Sequence, residues 1–289
     1  MQIKNMADLK RRLVVSVIVG GIVAFLIAFS TTPFVNLLLM CFLAVLAAIG
    51  VWEYAQLIIN KGVRPCTRWM VIAAIAQVVA LYASLVFVDF PQFPVLVLFA
   101  SMILFFLLRF RESQDALRSV AVELFGVAYV AAPLSLILGV LYPVDHGGFS
   151  QEGRWWLVYL IVVTKITDVG AYFVGRLWGK HKLSPQLSPK KTVEGAIAGF
   201  VSALVGSVLI QQLGVCFFGS HFSLSLLESI WLGMLIGLFG QIGDLAESLL
   251  KRDAVVKDSN SLPGVGGVLD LVDSLLFTTP LVYFFIHMH

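Results

Sequence analysis

The chain of 289 residues is 59% hydrophobic and 13% charged, with a mean hydropathy of +0.94 and a formal net charge of +3. That charged share is about half that of a soluble globular domain, which excludes the soluble classes and leaves a polytopic membrane protein. Cys41, Cys66 and Cys216 are scattered without CxxC spacing, so they argue against a disulfide framework or a thiolate zinc site.

Apolar runs near the roughly 20 residues that cross a bilayer fall at 13–30, 34–52, 69–88, 93–108, 119–142, 155–175, 195–214, 225–249 and 268–287. They predict an all-α polytopic membrane protein of about nine transmembrane helices, with the N-terminus cytoplasmic and the C-terminus outside. The distribution of positive charge gives an independent argument for that count. With the N-terminus inside, the cytoplasmic segments hold 18 of the 20 Lys and Arg; Arg154 falls outside and Lys165 within a span. The net charge is therefore a topology signal, and no nucleic acid partner is expected.

The first run follows Lys10-Arg11-Arg12 as a signal peptide would, yet no small-residue cleavage site follows, and a retained helix is expected. The first four runs carry almost no charge apart from Glu53 and read as scaffold, with Gly20-Gly21 and Ala47-Ala48 permitting close helix contact. The fifth adds Glu123 and Pro133, which read as packing groups, with a kink or a lining group as the alternative. The sixth brings Lys165 and Asp168 three residues apart, with Tyr172 one turn further along the same face. A basic loop follows, with Arg176, Lys180, Lys182, Lys190 and Lys191 and two Ser-Pro turns. Within it, Thr192 and Glu194 before an apolar run read as a helix start, and a helix N-terminus beside lysines suits phosphate. His181 lies in the same loop as a further candidate phosphate contact.

The stretch from Gln241 to Ser274 concentrates the chemistry. An ionisable group inside a hydrophobic span is costly unless paired, hydrated or metal-bound. Asp244, Glu247, Ser248 and Lys251 share one helical face, and Asp270, Asp273 and Ser274 repeat the pattern on the next apolar run. Between them, Pro263-Gly264-Val265-Gly266-Gly267 is a loop whose backbone N–H groups can close around an anion. Two carboxylate faces joined by a glycine loop suggest a Mg²⁺ and phosphate site. No repeat or linker is visible, so 1–289 reads as one membrane domain, with 1–118 a helical scaffold and 119–289 the catalytic part.

Asp168-Val169-Gly170-Ala171-Tyr172, Gly179-Lys180-His181-Lys182-Leu183, Ser188-Pro189-Lys190-Lys191-Thr192-Val193-Glu194-Gly195 and the run from Gly243-Asp244 through Lys257-Asp258 to Asp273-Ser274 resemble the phosphatidate cytidylyltransferases, also called CDP-diacylglycerol synthases. The chain departs from that pattern with Val265 for the usual His, Leu271 for the usual Arg, a shorter loop before Pro263, and a charged Lys165. The resemblance implies transfer of the cytidylyl group of CTP to phosphatidic acid, with Asp244 and Asp270 holding divalent ions and Asp168 and Asp273 as further ligands or orienting groups. It implies Lys251 and Lys257 at the reacting phosphates. Arg252, Lys191, Ser188, Thr192 and Glu194 would contact substrate, Lys180 and Lys182 would attract the lipid headgroup, and Gly264, Gly266 and Gly267 would let backbone approach the nucleotide. The cofactors it implies are Mg²⁺ or Mn²⁺, two ions, and a monovalent cation such as K⁺. It further implies a homodimer in the bacterial inner membrane with its site facing the cytoplasm.

Two other readings use the same residues. A CTP-dependent lipid kinase, or a cytidylyltransferase for another lipid phosphate, needs similar metals and basic loops. An ion-coupled transporter would spread charge through the membrane depth and often repeat itself, whereas here charge gathers at one face.

Overall fold

A backbone N–H or C=O left unpaired in hydrocarbon costs several kcal/mol, so apolar runs of this length fold as helices. The computed structural model describes residues 20–86, 91–110, 114–145, 148–149, 152–218, 224–256 and 267–288. In chain order the helices are α1 (residues 20–28), α2 (Pro33–Asn60), α3 (Thr67–Val86), α4 (Phe93–Arg109), α5 (Ala116–Gly126), α6 (Ala132–Leu141), α7 (Glu152–Trp178), α8 (Val193–Phe218), α9 (Leu226–Asp253) and α10 (Val268–Met288). Among the described residues, seven helical stretches are long and apolar enough to cross a membrane, α5 and α6 counting as one, and α4 is a shorter apolar helix.

A π-helical turn, Val127–Ala131, joins α5 to α6, and the Ala132 N–H reaches back to the Val127 carbonyl. Pro133 follows at once. Having no N–H and a ring that crowds the carbonyl four residues back, it cannot continue a regular ladder, and the wider turn absorbs that fault. Val127, Val130, Leu134 and Leu138 on this segment are almost wholly buried, and α6 touches α2, α3, α7 and α10. This is the centre of the core. Outward stripes such as Ile197, Val201, Val205, Leu209 and Leu213 on α8 repeat every four residues and stay exposed, as a lipid-facing surface requires.

Polar contacts separate the two ends of the bundle. At one end Tyr142 donates its hydroxyl to the Ser30 carbonyl at 3.0 Å, and Arg154 reaches Thr31 Oγ1 at 2.6 Å. At the other, Lys61 pairs with Asp253 at 2.7 Å, and Arg109 donates to the Arg64 carbonyl at 2.7 Å and pairs with buried Glu123. Two short antiparallel hairpins interrupt the helical pattern. One joins β1 (Val144–Asp145) to β2 (Gly148–Phe149); the other joins β3 (Lys182–Ser184) to β4 (Ser188–Thr192). The second replaces the plain loop expected from the two Ser-Pro turns.

Candidate active site

The site is assembled from four helices and the β3–β4 hairpin. Thr192 ends β4 and caps α8, its Oγ1 accepting the Gly195 N–H at 3.2 Å, in accord with the helix start expected there. Glu194 turns back to accept the Lys180 and His181 N–H groups at 3.1 and 3.2 Å, with His181 Nδ1 at 2.6 Å. It therefore ties the hairpin to α8. Arg252 similarly donates Nε to the Leu187 carbonyl at 3.0 Å, fastening the hairpin to the end of α9.

The helices approach closely where the carboxylates stand. A Cβ at Gly243 would lie 2.6 Å from the Asp273 carbonyl oxygen, so only glycine lets α9 and α10 meet at that level. The adjacent residue is Asp244. Asp244, Glu247 and Asp273 each bring a carboxylate oxygen within 4.8 Å of the others. Glu247 Oε1 is buried with no hydrogen-bond partner among the described residues, and Asp273 is 8% exposed. An unsatisfied buried oxygen inside a set of hard carboxylate donors fits a divalent cation such as Mg²⁺ or Mn²⁺.

Lysines lie against the same carboxylates. Lys191 pairs with Asp244 at 2.7 Å. Lys251 Nζ lies 2.5 Å from Glu247 Oε2 and 2.6 Å from Asp270 Oδ1, while Asp270 Oδ2 accepts the Gly267 N–H at 3.0 Å. Lys165 lies 3.5 Å from Asp168 and donates to the Leu271 carbonyl at 3.2 Å. A cation thus reaches the first turn of α10 from α7, beside the position where the resembled family usually carries Arg. Ser274 Oγ bridges the remaining carboxylates, 3.2 Å from Asp273 and 3.5 Å from Asp168.

A cavity of about 600 Å³ opens beside this cluster. Its wall includes Asp168, Tyr172, Arg176, Lys182, Lys190, Lys191, Thr192, Gln241 and Asp244, so four cationic side chains and two carboxylates share it. Of the residues expected at the site, Asp168, Lys182, Lys191, Thr192 and Asp244 line the cavity. Asp270, Asp273, Lys251 and Gly267 stand in the adjoining network of ion pairs and hydrogen bonds. Lys180, Ser188, Glu194 and Arg252 belong to the hairpin and its anchors rather than to the wall. Lys257, Gly264 and Gly266 lie outside the described residues. Glu247, expected on the carboxylate face but given no role of its own, and Arg176 and Lys190, expected only as part of the basic loop, also join the site. Glu247 was within reach of the spacing argument, three residues after Asp244 on the same face.

The chain matches the Cytidylyltransferase family over residues 10–289. It is 34% identical over 288 residues to the phosphatidate cytidylyltransferase of Chlamydia pneumoniae, covering 96% of this chain and 92% of that protein. It is 32% identical to that of a Synechocystis strain, covering 93% of this chain and 95% of that one. To that of Bacillus subtilis it is 43% identical over 144 residues, half of this chain and 51% of the other.

Proposed function

The chain belongs to the cytidylyltransferase family, and on that footing we propose that it transfers the cytidylyl group of CTP to phosphatidic acid, giving CDP-diacylglycerol and pyrophosphate. The observation that carries this reading is the juxtaposition of three carboxylates within 4.8 Å and a cavity walled by four cationic side chains. Two polyanions must come together for a lipid phosphate oxygen to attack the α-phosphorus in line as the bond to the β-phosphate oxygen breaks. Charge neutralisation and alignment dominate such a barrier. The lipid phosphate is already anionic near neutral pH, so no separate nucleophile activation is called for.

In this reading Asp244, Glu247 and Asp273 hold a divalent cation. Asp168, linked through Ser274, and Asp270, linked through Lys251, extend the donor set toward the two ions expected. When bound, Mg²⁺ or Mn²⁺ supplies positive charge to the triphosphate and the departing pyrophosphate. Lys191 turns from Asp244 to substrate phosphate, and Arg176, Lys182 and Lys190 hold anionic oxygens along the cavity wall. CTP comes from the cytosol and phosphatidic acid from the leaflet, so we place this end of the bundle at the cytoplasmic face of the inner membrane. Nine spans, the monovalent ion and a homodimer belong to the same proposal.

Purified protein in detergent micelles, given phosphatidic acid, Mg²⁺ and CTP labelled at either the α- or the γ-phosphate, is expected to move α-label and no γ-label into lipid. Label from the γ position would make the protein a lipid kinase. Lipid that stays unlabelled with both would sink the assignment.

A further inference from the structure

Glu53 lies in α2, within the part of the chain that the sequence reads as scaffold, and it is 1% exposed. A carboxylate in so apolar a setting needs hydrogen-bond donors. It finds them 215 residues away, where Oε1 accepts the Val268 N–H at 2.9 Å and Oε2 accepts the Leu269 N–H at 2.8 Å. These are among the first N–H groups of α10, which have no partner inside their own helix. Asp270 takes the preceding one, from Gly267, at 3.0 Å. Three successive amides are therefore held by two carboxylates, one local and one brought in by α2. Gly50, one turn before Glu53, lets α2 lie close against the π-helical turn, where a Cβ would meet a Val130 methyl at 2.9 Å.

We propose that Glu53 is a positioning residue for the transfer reaction, clamping the first turn of α10 so that Asp270 and Asp273 point at the carboxylates of α9. Where a helix begins fixes how its side chains are rotated. A slip of one residue turns them by about 100° around the axis. A negative group at a helix N-terminus is also favourable to the helix dipole, but a dipole effect alone needs no second oxygen. The two-oxygen grip is what sets register, and glutamine cannot reproduce it, because its amide nitrogen would meet an N–H.

The inference rests on the divalent-cation reading of these carboxylates, so the test reads cation binding directly. Mn²⁺ binding to the full-length protein in micelles is followed by the loss of the free-ion electron paramagnetic resonance signal, beside thermal unfolding and transfer rates. Glu53→Gln is expected to weaken Mn²⁺ binding about tenfold or more and to lower kcat, with activity partly restored at high Mn²⁺. Val268→Pro removes one donor from the opposite side at a helix position where proline is tolerated, and is expected to shift Mn²⁺ binding in the same direction. Wild-type affinity in both variants would overturn the proposal. So would loss of the fold in both, since the contact would then hold the bundle together rather than aim two side chains. Absence of Mn²⁺ binding by the unaltered protein would instead remove the cation reading on which it stands.

Discussion

At the scale of single residues the site is a set of cations and carboxylates held in partnership. Lys191 on Asp244, Lys165 on Asp168, and Lys251 on Glu247 and Asp270 each offset charge that would be costly beside a membrane interior. Lys191 is three-quarters buried and also faces the cavity, which makes it the lysine best placed to exchange a carboxylate for a phosphate. Lys191→Met is expected to raise KM for CTP by about 10- to 100-fold, the worth of one charge-assisted hydrogen bond, and steady-state kinetics on α-labelled CTP checks it. An unchanged KM would remove Lys191 from substrate binding. Asp244, Glu247 and Lys251 were legible in the sequence because helical spacing is local information. Glu53 and Glu123 were not: Glu53 finds donors on Val268 and Leu269 and Glu123 Oε1 on Arg109 and Cys66, and no periodicity announces such partners.

At the scale of elements, helix ends and helix contacts decide where those residues stand. The run expected at 268–287 is α10, Val268–Met288, and the one expected at 225–249 is α9, Leu226–Asp253. Hydropathy located both because lipid imposes the same length on every span. It could not show that the two helices come close at Gly243. Gly243→Ala is expected to push α9 from α10, separate Asp244 from Asp273, and lower transfer activity at least about tenfold, as sub-ångström to ångström misplacements do. A wild-type rate would show that the two helices need not meet so closely. The ends of α2 and α9 form a matched pair: Gly62 and Val63 close α2 as Val255 and Val256 close α9, by N–H groups reaching back to the last turn. Gly62 sits at φ +79°, and Val255 holds φ +57° with a branched side chain. That left-handed backbone costs a non-glycine residue about 1–2 kcal/mol, so Val255→Gly is expected to raise the thermal midpoint in micelles. A lowered midpoint would contradict this assignment of strain. The β3–β4 hairpin escaped the sequence because its strands are three and five residues long and strongly basic, which leaves no alternation to read.

For the whole molecule, the bundle places the hairpin, the ends of α7 and α9 and the start of α10 together, while Ser30, Thr31, Tyr142 and Arg154 gather at the opposite end. This division follows the basic residues that the sequence assigned to one side of the membrane. The count of nine spans and the direction of insertion stay with the proposal and are open to labelling. In a background lacking Cys41, Cys66 and Cys216, a cysteine at Lys180 is expected to react with a membrane-impermeant maleimide only in inside-out vesicles. A cysteine at Thr31 is expected to react only in right-side-out ones; the reverse pattern would invert the topology. In the proposed reading, carboxylates from α9 and α10 jointly hold the cation that makes cytidylyl transfer work. The measurement that bears on it most directly is the initial rate of α-label transfer from CTP to phosphatidic acid by Asp244→Asn and Asp273→Asn, each beside the unaltered protein at matched Mg²⁺. A loss of at least about 100-fold is expected in both, the scale of removing a preorganised electrostatic group, with folding retained. A near wild-type rate in either variant would contradict it.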